Sequence, residues 1–217
     1  MIMKKYIIIT ISLFLSSCSM SNPLSYFDLI NSHKEFQNVN VKLLWSIDIG
    51  EDRNYKTGTL QPAFLDNTSY TIDSEGLVTA IDLLSGNIKW IYDLDLNVSS
   101  GLSIHKDILF FGTSDGKYYG YKIDSLSSSY GFLDRLDITS LIRDSSADPD
   151  VLVQLVSEVS SPGLGIDNLI FVKLDDGDTV AINIDNSNIE WQYKGRNVPL
   201  SMKGSGSIAK LNNNLFI

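Results

Sequence analysis

Few side chains in this 217-residue chain could do chemistry: one cysteine, Cys18, and two histidines, His33 and His105. The histidines are far apart and lack any ligand spacing, so neither reads as a catalytic or metal-binding residue. Asp175-Asp176-Gly177-Asp178 gathers carboxylates of the kind that hold calcium, but no acidic residue follows at EF-hand spacing, and the same letters make a hairpin turn. The segment from Ser125 to Ser129 offers hydroxyls without a base and reads as a loop. Gly163-Leu164-Gly165 is too short for a phosphate loop and has no strand-to-helix pattern around it. No metal or cofactor site is expected, and enzymatic activity is not expected either.

Cys18 is different because of what precedes it. Lys4 and Lys5 are followed by an apolar stretch from Tyr6 to Leu15, a signal-peptide pattern that is too short for the roughly 20 residues of a bilayer-spanning helix. Leu15-Ser16-Ser17-Cys18 resembles the bacterial lipobox. That resemblance implies cleavage after residue 17 and a lipid on Cys18, and Ser19 would then be compatible with sorting to the outer membrane. Residues 1–17 are thus expected to be the leader, 18–40 a lipidated start and polar tether, and 41–217 the folded part. With its only cysteine on lipid, the exported product would have no disulfide and no thiol chemistry.

Loss of residues 1–17 removes two lysines, leaving 15 basic and 26 acidic residues, a net charge of 15 − 26 = −11. Such a chain lacks the basic face that phosphate backbones require, so nucleic acid is not an expected partner.

Beyond Val41, β-branched and aromatic runs alternate with turn pairs: Glu75-Gly76, Asp115-Gly116 and Asp176-Gly177. Residues 76–90, GLVTAIDLLSGNIKW, align without a gap with residues 177–191, GDTVAINIDNSNIEW, so Ala80 meets Ala181 and Trp90 meets Trp191. A weaker copy starts at Gly116, with Tyr121 at the Ile81 position and Tyr130 at the Trp90 position. Upstream strands at 68–72, 107–112 and 168–173 follow small-residue segments such as Gln61-Pro62-Ala63 and Ser161-Pro162-Gly163. Each unit therefore holds four short strands. A four-stranded unit cannot bury both faces alone, and repetition around an axis solves this, so the expected fold is an all-β β-propeller of four-stranded blades. Trp90 and Trp191 are expected to pack between blades.

Leu43-Leu44-Trp45-Ser46-Ile47 looks like the end of a blade, and Leu215-Phe216-Ile217 like the second strand of another. Three full repeats plus partial ones fall short of the usual ring of about four to eight blades, so the chain is expected to be a truncated propeller.

The repeat resembles the quinoprotein-like propeller repeat. Taken with the lipobox, the tether and the run from Trp45 to Gly50 leading into Gln61-Pro62-Ala63, the chain resembles the N-terminal part of the BamB family of lipoproteins of the outer-membrane β-barrel assembly machinery. Val198-Pro199-Leu200-Ser201-Met202-Lys203-Gly204-Ser205 is similar to that family's Leu-Ser-Leu-Arg-Gly loop. The resemblance implies that Leu200, Met202 and Lys203 contact the POTRA region of BamA, with other barrel-assembly subunits as further partners and outer-membrane lipid holding the anchor at the periplasmic face. Met keeps an apolar knob where the family has Leu, whereas Lys loses the planar two-pronged donor of Arg. The alternatives are a propeller lipoprotein for another envelope partner or ligand, and a fragment of a quinone-dependent dehydrogenase. Those enzymes commonly carry an adjacent-cysteine disulfide that one cysteine cannot supply.

Overall fold

The computed structural model describes residues 42–49, 60–128, 147–195, 206–212 and 214–217. The chain divides into two compact units, Met1–Leu44 and Trp45–Ile217, and every strand among the described residues lies in the second.

That second unit is all-β and built from four-stranded antiparallel sheets in sequential order. The first sheet holds β1 (Ala63–Leu65), β2 (Thr68–Ile72), β3 (Leu77–Asp82) and β4 (Ile88–Asp93). The second holds β5 (Ser103–His105), β6 (Ile108–Gly112), β7 (Lys117–Lys122) and β8 (Val151–Gln154). The third holds β9 (Leu164–Ile166), β10 (Leu169–Lys173), β11 (Thr179–Asn183) and β12 (Ile189–Tyr193), and is followed by a two-stranded hairpin of β13 (Ala209–Leu211) and β14 (Asn214–Phe216). These are propeller blades, and among the described residues they form an open series. No helix among the described residues is long and apolar enough to cross a membrane.

Turn chemistry explains why the strands fall where they do. The first two strands of each unit join through two-residue turns at Asp66-Asn67, Lys106-Asp107 and Asp167-Asn168. Backbone φ is positive at Asp66 (50°), at both Lys106 (50°) and Asp107 (59°), and at Asp167 (53°), the twist that tight hairpins need. The second turns use the glycines expected for them, with φ of 99° at Gly76, 78° at Gly116 and 93° at Gly177. In the third turn of the first unit, Asp82 Oδ1 accepts from the Leu84 and Ser85 amides at 3.1 and 2.9 Å. Asn183 serves the same purpose in the third unit, accepting from Asp185 N at 2.9 Å. The two units share even their irregularity, a register shift between Ala80 and Ile81 in one and between Ala181 and Ile182 in the other.

The second unit departs from the expected repeat. Tyr121 does stand at the Ile81 position, opposite Leu109 as Ile81 is opposite Ser69. After β7, however, the chain enters a short helix, α1 (Ile123–Ser128), where a loop was expected from the serines. The fourth strand is β8, with Val151 opposite Gly120 where Trp90 is opposite Ala80. Tyr130, expected in that place, lies outside the described residues. Asp124 in the first turn favours the helix, and the alternating burial of Val-Leu-Val-Gln in β8 marks a half-buried edge strand.

Sheets stack through aliphatic and aromatic layers. Tyr70, Val78, Ala80, Trp90 and Tyr92 of the first sheet meet Leu109, Phe111, Tyr119 and Tyr121 of the second. The second sheet's opposite face, with Phe110, Tyr118, Val151 and Val153, meets Ile170, Val172, Val180 and Ile182 of the third. The connectors cross where strands crowd: Ser99 Oγ donates to Val159 O at 2.7 Å and Ser100 Oγ accepts from Gly112 N at 2.7 Å, both serines being fully buried. A Cβ on Gly163 would run into the Tyr118 hydroxyl, and one on Gly165 into the His105 ring. The expected strand at 43–47 is not formed. Trp45 is held by side-chain contacts instead, its indole N–H donating to Leu83 O at 2.9 Å. Its ring lies over Gly86, where a Cβ would come within 2.7 Å.

Candidate partner-binding surface

The connectors between sheets carry the first clue to function. Residues 94–102 between β4 and β5, and 155–163 between β8 and β9, are nine residues each, whereas 194–208 between β12 and β13 is fifteen, longer by 15 − 9 = 6. The two short connectors are tied to the neighbouring turns: Leu94, Leu96 and Val98 donate amides to Gly76, Glu75 and Ser74 carbonyls at 3.0–3.1 Å, and Leu155 donates to Gly116 O at 2.8 Å. The long connector is fixed at its start, where Gly195 N donates to Asp178 Oδ1 at 2.9 Å, and near its end, where Ile208 is buried. Leu200, Met202 and Lys203 fall within this longer segment and lie outside the described residues, as do Cys18 and His33. Connector length could have been compared in the sequence once each strand end was known, and that signal was missed.

A second feature is the outer face of the third sheet. Trp191 is 42% exposed where its counterpart Trp90 is 7%, and Tyr193 is 52% exposed where Tyr92 is 2%. Phe171 meets Trp191 edge-on at 5.8 Å, repeating the Tyr70–Trp90 pair at 5.9 Å. Trp90 thus packs between blades as expected, and across the face of Trp191, among the described residues, stands the β13–β14 hairpin. Between them lies a cleft of about 420 Å³ lined by Ile166, Phe171, Trp191, Lys210, Asn214 and Leu215.

The other candidate groups serve the fold. His105 Nε2 lies 2.8 Å from Asp167 O, joining the second sheet's first strand, β5, to the third sheet's first turn. Asp176 accepts from the Asp178 amide at 3.0 Å, Asp178 accepts from Gln192 Nε2 at 2.8 Å, and Asp175 is bonded to the Ser160 hydroxyl. Among the described residues no group of three acidic, histidine or cysteine side chains is placed to hold a metal ion. Ser127 Oγ donates to Asp124 O at 3.2 Å within α1.

Electrostatics follow the same turns. The Asp82 carboxyl is held below the usual carboxylate range, chiefly by the Ser85 amide, and Asp115 is held low by the Lys117 ammonium. Partial burial opposes ionisation of Asp150, but its hydrogen bonds from Lys122 prevail and lower it too. Burial pushes the Tyr121 phenol up to about 12, with Tyr119 adding to the effect.

Repeat, register and stacking define the described part as a segment of a β-propeller. No family model matches the chain. The outer membrane protein assembly factor BamB of Kangiella koreensis is 27% identical over 96 residues, covering 42% of this chain and 25% of that protein. BamB of Pseudomonas aeruginosa is 32% identical over 69 residues, covering 32% of this chain and 18% of that one. The matched segments therefore span a quarter or less of these relatives. Among solved structures, BamB from Moraxella catarrhalis aligns with 62% of this chain and 35% of its own at 20% identity, with a TM-score of 0.46. The computationally designed Ika4 protein aligns with 77% of this chain and 91% of its own at 13% identity and a TM-score of 0.51. A quinohemoprotein alcohol dehydrogenase from Comamonas testosteroni aligns with 63% of this chain and 21% of its own at 14% identity and a TM-score of 0.43. Likeness at these identities concerns fold alone. In sequence, the chain is similar to BamB over part of its length.

Proposed function

We propose that this protein is a non-catalytic scaffold lipoprotein of the outer-membrane β-barrel assembly machinery. A lipid on Cys18 holds it at the periplasmic face of the outer membrane, and residues 18–40 tether the propeller to that anchor. It docks on the POTRA region of BamA through Leu200, Met202 and Lys203, with two apolar anchors and one cation presented on a loop between blades. The observation that carries this reading is the third connector, which is fifteen residues where the two others are nine. Its extra length falls on the one segment that matches the family's BamA-contact loop. Loops extended beyond what closure needs are where propellers and other rigid scaffolds place function. The partial sequence similarity to BamB supports the same assignment. A lipid anchor strengthens a weak loop contact by raising the local concentration of the partner.

The test is co-purification of BamA with the tagged, membrane-anchored full chain. Wild type captures BamA, and Leu200→Asp lowers capture by about tenfold or more, the scale of losing a buried interface anchor, with its urea midpoint unchanged. No capture by wild type, or undiminished capture by the variant, overturns the reading.

A further inference from the structure

We draw no further inference here: the strongest candidate, the apolar strip along the outer edge of β8 and just beyond it, where Leu152 and Val156 are exposed and the Leu152 amide meets the Ser187 hydroxyl of the third sheet at 3.4 Å, carries nothing because no feature of the structure shows what covers it.

Discussion

Trp90 and Trp191 occupy equivalent positions in equivalent sheets, and the same truncation at each should have unequal costs. Trp90 is buried to all but 7% between the first and second sheets, its ring 5.9 Å from Tyr70. A tryptophan side chain buries about 200 Å². At about 25 cal/mol per Å² that is about 5 kcal/mol for Trp90→Ala, within the observed range of about 3–5 for such changes. Trp191 is 42% exposed and faces an open cleft, so Trp191→Ala forfeits about half as much contact and leaves no sealed cavity, giving about 2–3 kcal/mol. The difference of about 2 kcal/mol corresponds to roughly 4–8 °C in Tm for a domain of this size. Thermal unfolding followed by far-UV circular dichroism reads it directly. If Trp191→Ala is as destabilising as Trp90→Ala, or more so, the stacking order of the sheets is wrong, since the third sheet's aromatic pair would then be as enclosed as the first's.

The same geometry sets further outcomes. Trp45→Ala removes the indole hydrogen bond to Leu83 O and the ring over Gly86, and is expected to lower stability by about 2–3 kcal/mol in urea titration. Gly163→Val forces a side chain into the Tyr118 hydroxyl and Ile170, and is expected to cost about 1–3 kcal/mol as overpacking between the second and third sheets, read as a lower urea midpoint. Asp82, Asp115 and Asp150 have folded-state acidities shifted below the ordinary carboxylate range. Their contribution is present in full above about pH 4, the unfolded value, and fades as pH falls through the folded values. A Tm profile from pH 6 to pH 2 should therefore drop in acid, and the drop should be shallower in the Asp82→Asn, Asp115→Asn, Asp150→Asn triple variant. Cys18→Ser is expected to abolish incorporation of labelled palmitate and to release the product from membranes on fractionation.

Strands and turns with local signals were legible in the sequence. The run at 68–72 is β2 to the residue, and 107–112 and 168–173 each differ from β6 and β10 by one residue at the start. The turn glycines and the equivalence of Ala80 with Ala181 and of Trp90 with Trp191 also follow from the aligned repeats, and in the structure each alanine stands opposite its tryptophan. What failed was continuity. A repeat alignment assumes that each strand arrives on schedule, yet β8 begins only at Val151, with residues 129–150 between it and the end of α1 at Ser128, and no motif marks it beyond four alternating residues. Trp45 has the sequence of a strand end without forming a strand, because an indole can dock on a turn through its ring and N–H alone. Asp66-Asn67 and Asp167-Asn168 were readable as tight turns from their residue types but are outranked to the eye by the glycine pairs. The cleft at Trp191 could not be read at all, since the Ile, Trp and Tyr that β4 and β12 share meet different neighbours. The loop carrying Leu200, Met202 and Lys203 came from family resemblance, and its unusual length emerged only when the flanking strands were placed.

Proximity of residues 198–205 to BamA is the central claim, and photo-crosslinking from position 200 addresses it most directly. A benzoylphenylalanine replacing Leu200 in the membrane-anchored full chain, irradiated in cells, should give a BamA adduct identifiable by mass spectrometry. The same probe at Leu84, which is 79% exposed on a turn of the first sheet, should give none. An absence of BamA adducts at position 200, or equal yields from both positions, would contradict docking through this loop.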